Sequence, residues 1–145
     1  MTDRDWTIDT VSWAEARDLL LAIRFEIFVH EQGVPAEMEE DADDPQALHL
    51  LVRTVPGGDP IATARLLPNG HIGRMAVRRQ WRGRGIGSAM LAQLLSKARR
   101  KGLESVFLNA QCAAEAFYRR QGFRPEGAIF EDAGIPHRRM WRPLR

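Results

Sequence analysis

The chain has 145 residues, of which 44% are hydrophobic and 28% are charged, and its formal net charge at pH 7 is +2. These values predict one globular domain over residues 1–145 and exclude a disordered chain. The sequence has neither a run of ~20 apolar residues nor a secretory signal, which predicts a cytoplasmic protein without a membrane partner. Cys112 is the only cysteine and the four histidines lack metal-ligand spacing, so we expect no internal disulfide and no metal.

Charge is divided unevenly along the chain. Residues 1–50 contain 13 Asp and Glu against 3 Lys and Arg, whereas residues 51–145 contain 6 against 18. The basic part is compatible with nucleic-acid binding or with an anionic ligand, while the acidic segment 37–44 favours a cationic substrate. Charge alone leaves these alternatives open.

The N-terminal half predicts a strand, a long helix and a three-stranded meander. Residues 7–11 alternate as a strand does, and Ser12 with Glu15 forms a capping box before a helical pattern, one helix or two, that ends at Gly33. The acidic segment is a loop. After it, turn signals separate three segments that predict antiparallel strands, residues 48–55, 61–67 and 71–78.

The C-terminal half predicts two helices and three further strands. Apolar residues recur at helical spacing over residues 85–101. The next segment, SVFLNA at 105–110, is apolar enough to predict a strand buried on both faces. A short helix at 113–122 and a final pair of strands at 123–131 and 137–144 complete a mixed sheet covered by helices.

Residues 82–90, RGRGIGSAM, place three glycines at alternate positions before the second predicted helix. Alternate glycines let a ligand approach the backbone, and a helix N-terminus offers unpaired N–H groups and the positive end of the dipole. A phosphate group fits this combination. A Walker A loop is excluded because no lysine follows the glycines, and the dinucleotide motif G-x-G-x-x-G fails at Ser88.

The spacing Arg82-x-x-Gly85-x-Gly87 between a strand and a helix resembles the acetyl-CoA pyrophosphate loop of the GNAT acetyltransferase superfamily. Further segments are similar to its ElaA-like, YjcF-like branch: RFEIFVHEQGVP, TARLL, IGRMAV, LNAQ with FYRRQGF, and FEDAGIPH. The resemblance covers most of residues 24–140. It implies an α/β (α+β) chain with a single-domain GNAT fold, whose mixed, mostly antiparallel central sheet is splayed between strands four and five and flanked by helices.

The resemblance also implies acetyl-CoA as the acyl-donor substrate. Its pantetheine arm is expected between strands four and five, against the backbone of Met75, Ala76 and Val77 and the side chain of Asn109. Its pyrophosphate is expected at the glycine loop, which consists of Arg82, Gly83, Arg84, Gly85, Ile86, Gly87 and Ser88. The arginines around this loop, Arg78 and Arg79 included, either reach a phosphate of CoA or are solvated.

Acetyl transfer to an amine requires a neutral amine, a polarised carbonyl and a proton for the departing thiolate. We expect a strand-four N–H, at Ala76 or Val77, to meet the carbonyl. Tyr118 lies where the family places the acid, with packing against the sheet as its alternative role. The candidates for the base are Glu31, Asp44, His49 and His71, and water can serve instead.

Three arginines lie within apolar segments, where an unpaired charge is costly: Arg24, Arg65 and Arg74. They either pair with nearby carboxylates such as the acidic loop or bind a carboxylate of the acceptor. Relatives often carry a histidine where this chain has Ala113, so no role of that histidine is transferred.

The predicted function is therefore transfer of an acetyl group from acetyl-CoA to a primary amine of an unidentified small molecule or peptide, by direct attack in a ternary complex. The alternatives are an acyl-CoA sensor without turnover and a basic module that binds nucleic acid. The final hairpin predicts a surface for a homodimer. The identity of the acceptor cannot be read from the sequence.

Overall fold

The computed structural model describes residues 5–55 and 58–144. Its strands are β1 (Trp6–Val11), β2 (Leu48–Thr54), β3 (Pro60–Leu66), β4 (Ile72–Val77), β5 (Ser105–Gln111), β6 (Arg124–Asp132) and β7 (Ile135–Pro143), and its α-helices are α1 (Trp13–Arg24), α2 (Ile86–Arg100) and α3 (Glu115–Arg120). This order confirms the predicted one. The turn predicted at 56–60 lies partly outside the described residues.

The capping box predicted at the start of α1 is present. Glu15 N–H donates to Ser12 Oγ at 3.2 Å, and Ser12 N–H donates to Glu15 Oε1 at 2.8 Å. The predicted long helix is not α-helical throughout, because its second part, Phe25–Glu31, is a π-helix. The wider π-turn changes which side chains face the sheet, a feature frequent at functional sites.

Strands β1 to β4 form one antiparallel sheet in chain order, and helices cover both of its faces. Side chains of α1 pack with Leu51 and Ala76, while those of α2 pack with Leu50 and Val52 on the opposite face. Neighbouring residues of a strand point to opposite faces, so the central part of β2 is buried throughout.

The second sheet has the order β5-β7-β6 and is covered less completely. Val106, Leu108 and Ala110 of β5 are buried in the core with α2, whereas Asn109 between them is exposed. The prediction that this strand is buried on both faces is therefore wrong. Its second face lines a cavity instead of packing against a helix.

The two sheets meet where β4 and β5 begin. His71 and Phe107 form a parallel bridge, and Phe107 N–H donates to Gly70 O at 3.0 Å. Gly70 has a φ of +92° and its backbone lies so close to β5 that a Cβ would be 3.0 Å from Ser105 O. Beyond this bridge the described parts of β4 and β5 share no pairing, so the two strands splay apart as predicted.

Candidate active site

The glycine loop follows β4 and ends at the start of α2. Gly83 and Gly85 have φ values of +77° and +83°, a left-handed conformation that side chains disfavour. The first hydrogen bond of α2 is donated by Ala89 N–H to Gly85 O, so the preceding amides of Ile86 to Ser88 have no acceptor within the helix. These amides and the positive end of the α2 dipole form a local anion-binding arrangement.

A cavity of about 410 Å³ opens over this loop. It is lined by Val77, Trp81, Arg82, Gly83, Gly85, Ile86, Gly87, Ser88 and Phe117. A Cβ at Gly87 would lie 3.6 Å from Phe117 Cζ, so a longer side chain at this position would enter the cavity. The residues present therefore fit a phosphate-bearing ligand that approaches the backbone.

The side chain of Arg82 is fixed by hydrogen bonds to Glu31 and to the end of β4. Its Nη1 and Nη2 donate to the two carboxylate oxygens of Glu31 at 2.8 and 2.9 Å, and its Nε donates to Val77 O at 2.9 Å. The hydrogen bond from Arg82 lowers the pKa of Glu31, although partial burial opposes this shift. Glu31 is consequently a weak base, and its predicted catalytic role remains a prediction.

Strand register determines which β4 amides face the cleft between β4 and β5. Arg78 N–H donates to Ile61 O, so the pair Ala76 and Thr63, two residues along the same ladder, is also a hydrogen-bonded pair. The N–H and C=O of Val77 point the other way, to the open edge where Arg82 contacts Val77 O. Of the two predicted amides, Val77 therefore faces the cleft and Ala76 faces β3.

A second cavity, of about 320 Å³, lies between the splayed strands. Segments distant in sequence line it, among them the π-helix (Phe28), β4 (Arg74 and Met75), β5 (Asn109), α3 (Tyr118) and the β6–β7 hairpin (His137). This size is in the range of small-ligand sites. The predicted residues Tyr118, His71, Met75 and Asn109 are brought together here, whereas Glu31 is not among the lining residues.

Tyr118 is held in this cavity by aromatic and sulfur contacts. Its ring packs edge-on against Phe117 and Phe123, with centroid separations of 5.0 and 5.9 Å, and its hydroxyl lies 3.6 Å from Met75 Sδ. Burial raises the pKa of Tyr118 to about 12. The hydroxyl is therefore protonated at neutral pH, and it is a weaker acid than that of an ordinary tyrosine.

His71 lies at the closed end of the same cavity. Its ring stacks on Phe107 with a centroid separation of 4.7 Å. Burial lowers the pKa of His71, and the nearby positive charges of Arg65, Arg139 and Arg74 act in the same direction. The imidazole is therefore neutral at pH 7 and can accept a proton.

The acidic segment forms a buried ion-pair network, defined here as Arg24, Arg65, Arg74, Glu39, Asp41 and Asp44. Asp44 accepts hydrogen bonds from Arg24 Nη1 at 2.9 Å and from Arg65 Nη1 at 2.7 Å. Arg24 Nε donates to Glu39 at 2.6 Å, and Arg74 Nη2 donates to Asp41 at 3.1 Å. All three arginines thus pair with the acidic loop.

The network contradicts the prediction that Asp44 or His49 is the catalytic base. Burial opposes ionisation of Asp44, but hydrogen bonds from Arg24, the Asp41 amide and Arg65 lower its pKa to about 2. His49 is 1% exposed and its Nε2 lies 2.9 Å from Asp44 O. Neither side chain lines either cavity, because both are enclosed between α1 and the first sheet.

Comparison with known proteins decides the family. A family model described as an acetyltransferase (GNAT) domain matches residues 11–143. The chain belongs to the GNAT acetyltransferase family. It is 35% identical to the uncharacterized N-acetyltransferase YjcF of Bacillus subtilis over 124 residues, covering 83% of this chain and 87% of the relative.

Solved structures place the chain in the ElaA-like, YjcF-like branch of the GNAT family. Escherichia coli ElaA superposes with a TM-score of 0.81 at 28% identity, covering 96% of this chain and 99% of ElaA. An acyl-CoA N-acyltransferase from Pseudomonas aeruginosa superposes with a TM-score of 0.79 at 31% identity, covering 95% and 98%. Both the predicted GNAT fold and the predicted branch are confirmed, and the family is one of acyltransferases that use acyl-CoA donors.

Several residues that line the 320 Å³ cavity were not predicted from the sequence as members of the site. Gln111 Nε2 donates to Gln32 Oε1 at 2.8 Å and so joins β5 to the end of the π-helix across the cavity. Asp132 and His137 come from the final hairpin. The only signal for the hairpin residues was the segment FEDAGIPH, and no sequence spacing connects Gln32 with Gln111.

Neither a metal cluster nor a membrane-spanning helix occurs in the described part of the chain. Within residues 5–55 and 58–144, no group of three or more His, Cys, Asp or Glu could hold a metal ion. In the same ranges, no helix is long and apolar enough to cross a membrane. Cys112 is half-buried and is not among the residues that line the two cavities.

Proposed function

We propose that this chain transfers the acetyl group of acetyl-CoA to a primary amine of a small molecule or peptide. The observation that supports this most directly is that the glycine-loop cavity and the cavity with Tyr118 and His71 are neighbours along α3, where Phe117 lines the first and Tyr118 the second. Direct attack in a ternary complex is favoured because Cys112 does not line the cleft. The further assignments of one domain over residues 1–145, a cytoplasmic location and a homodimer through the exposed β6 edge belong to the same proposal.

The donor is held mainly by backbone groups. The free amides from Ile86 to Ser88, with the loop glycines before them, bind the pyrophosphate. The Arg84 side chain, which lies over the Trp81 ring at 4.6 Å, is available to the ribose phosphate. The side chain of Asn109 binds the pantetheine arm between β4 and β5, and the β4 backbone at Met75 forms the opposite wall.

Each chemical requirement of the transfer has one candidate group in the cleft. Acetyl-CoA supplies an activated thioester. The Val77 amide donates to the carbonyl oxygen as negative charge develops on it. Tyr118 donates a hydrogen bond to the departing sulfur and is the nearest proton source for it. A thiolate whose conjugate thiol has a pKa of ~8.5 is a good leaving group, so little help from an acid is needed. His71, which is neutral, removes the proton that the amine loses, directly or through water.

A thermal-melt titration with acetyl-CoA, CoA and ATP tests the donor assignment. At a hundredfold excess over its dissociation constant, acetyl-CoA adds about 2.7 kcal/mol of stability, which corresponds to a rise of roughly 5–10 °C in Tm. Gly87→Glu abolishes this rise because its carboxylate enters the 410 Å³ cavity and repels the phosphates. Ala92→Glu is the matched control, since it adds the same charge at an exposed position of α2.

The outcomes separate the proposal from its alternatives. Acetyl-CoA binding followed by CoA release with any amine supports the enzyme. Binding without turnover on every amine offered supports a sensor. Absence of any acetyl-CoA effect, combined with salt-dependent retention on nucleic acid, would replace the proposal with the nucleic-acid module.

A further inference from the structure

Arg74 combines an unusual backbone with an incompletely paired side chain at the wall of the 320 Å³ cavity. It has a φ of +49°, in the left-handed region that a residue with a side chain rarely occupies. The β3–β4 register shifts at this point, opposite the step from Thr63 to Arg65. Strain of this kind persists where the surrounding structure requires it, and it is concentrated at functional sites.

The bulge lies where β4 borders the cavity. Five successive residues, 71–75, line the cavity, Arg74 and Met75 among them. Met75 Sδ is the atom that contacts the Tyr118 hydroxyl at 3.6 Å. Arg74 therefore immediately precedes the residue whose side chain contacts the proposed proton donor.

The guanidinium of Arg74 retains donors for a ligand. Nη2 contacts Asp41 at 3.1 Å, and Nε lies 3.4 Å from Glu39 without a hydrogen bond. Nη2 also donates to Met38 O at 3.4 Å, and among the described residues no hydrogen bond uses Nη1. Burial lowers the pKa of Arg74 despite its two acidic neighbours, so a further anion would stabilise this cation.

The carboxylates of the acidic segment are not available to a cationic acceptor in this cavity. Glu39 and Asp44 are 2% and 0% exposed and pair with Arg24, while Asp41 pairs with Arg65 and Arg74. Asp132, in the hairpin, is the lining carboxylate for which the described residues show no arginine within salt-bridge distance. The cavity thus offers two arginines whose Nε makes no hydrogen bond, Arg65 and Arg74, and of these Arg74 has the fewer bonds to carboxylates. It also offers the carboxylate of Asp132 and apolar side chains such as Phe28 and Val34.

We propose that the amine acceptor is an α-amino acid with an apolar side chain, whose carboxylate binds Arg74. This inference rests on the proposed acetyl transfer. With the carboxylate on the Nη1 side of Arg74, the amine on the adjacent carbon lies in the same cavity as Met75 and Tyr118. Phe28 and Val34 contact the apolar side chain, and Asp132 attracts the ammonium form before it loses its proton.

The step balances as an acyl transfer. The amine nitrogen forms a bond to the acetyl carbon while the carbon–sulfur bond breaks. The sulfur leaves as a thiol with the proton from Tyr118, and the proton lost by the amine passes to His71 or water. Tyr118 then regains a proton from His71 or from water, so both side chains return to their starting forms. The products are the N-acetyl amino acid and CoA.

The kinetic test compares leucine, methionine and phenylalanine with their carboxamides, and includes spermidine as a purely cationic amine. Arg74→Gln is expected to lower kcat/KM for the amino acids about ten- to hundredfold, chiefly through KM, with little change for the carboxamides. The quantity compared is the ratio of kcat/KM for each amino acid to that for its carboxamide, in wild type and in variant. The different basicities of the two amines affect both ratios equally and so cancel. Arg74→Lys should recover part of the loss, and Arg17→Gln, an exposed arginine outside the cavity, should change nothing.

A binding measurement makes the test independent of turnover. The Nε–H nuclear magnetic resonance signal of Arg74, assigned by its loss in Arg74→Gln, is followed in CoA-saturated protein. It should shift with leucine and not with leucinamide. Equal loss of activity on acids and carboxamides, preference for spermidine, or an unchanged Arg74 signal would each overturn the inference. Failure of acetyl-CoA to bind would overturn the proposed function instead, and the same titration without CoA would still test the carboxylate site.

Discussion

The glycine loop and the ion-pair network both contain arginines, yet the loop offers groups to a ligand whereas the charges of the network mostly pair with one another. The loop is contiguous in sequence and offers backbone amides around Gly85 and Gly87 to a ligand. The network joins residues from Arg24 to Arg74, and its acidic members are occupied by intramolecular pairs. Charged residues in a sequence therefore indicate a partner only after the internal pairs are known.

The largest effect on stability is expected from Asp44→Ala. Removal of this carboxylate leaves Arg24 and Arg65 buried without their shared partner, which costs about 3–5 kcal/mol of unfolding free energy. Urea unfolding followed by tryptophan fluorescence measures the loss. Asp43→Ala, at an exposed neighbouring position, is the control, and equal losses in the two variants would show that the network does not stabilise the fold.

Tyr118→Phe tests the proton donor in the 320 Å³ cavity. Loss of the hydroxyl proton donor should lower kcat about a hundredfold at neutral pH, while the aromatic packing against Phe123 is preserved. Steady-state kinetics with 5,5′-dithiobis-(2-nitrobenzoate) detection of CoA measures this change. Similar kcat values for the two proteins would assign Tyr118 to packing alone.

Acid should reduce the stability that the ion-pair network contributes to the fold. The pKa of Asp44 is about 2 in the folded chain against an ordinary aspartate value of 3.8, so its contribution is fully present above pH 3.8 and is lost as pH falls towards 2. The amount at stake is about 2 kcal/mol. Urea unfolding between pH 5 and 2 measures this loss, which Asp44→Asn should reduce. A smaller slope of the same sign remains, because the pKa of Asp41 is also lowered. Glu39, whose pKa burial raises, acts in the opposite sense above this window.

The smallest effect on stability is expected from Gly85→Ala. A Cβ at Gly85 meets nothing within 4 Å, so only the left-handed backbone opposes alanine, at a cost of about 1–2 kcal/mol. Gly102→Ala is matched, since Gly102 has a φ of +79° and open space after the other end of α2. We expect the two variants to change Tm by similar amounts and only Gly85→Ala to weaken acetyl-CoA binding. This result would show that the loop serves ligand binding, whereas the network serves stability. Equal affinity of both variants for acetyl-CoA would show that acetyl-CoA does not bind at the glycine loop.

Local signals predicted most of the fold and the donor side of the site. The capping box at Ser12, the helical repeat after Gly85 and the strand alternation depend on neighbours within a few residues, and each forms as predicted. The burial of β5 was mispredicted because apolar residues at 106–108 do not reveal that one face of the strand would border a cleft. Likewise, the π-helix has no distinct periodic signal in so short a segment.

By itself, the sequence determined the order of elements, the glycine loop and the family, because these depend on composition and short-range spacing. Only the tertiary structure decided that Arg82 would pair with Glu31 and that Val77, rather than Ala76, would face the cleft. It also decided that the acidic segment would neutralise Arg24 and Arg65 and leave Arg74 with a free donor. Such outcomes depend on which distant side chains share a buried space, and on strand register, neither of which is encoded in local spacing.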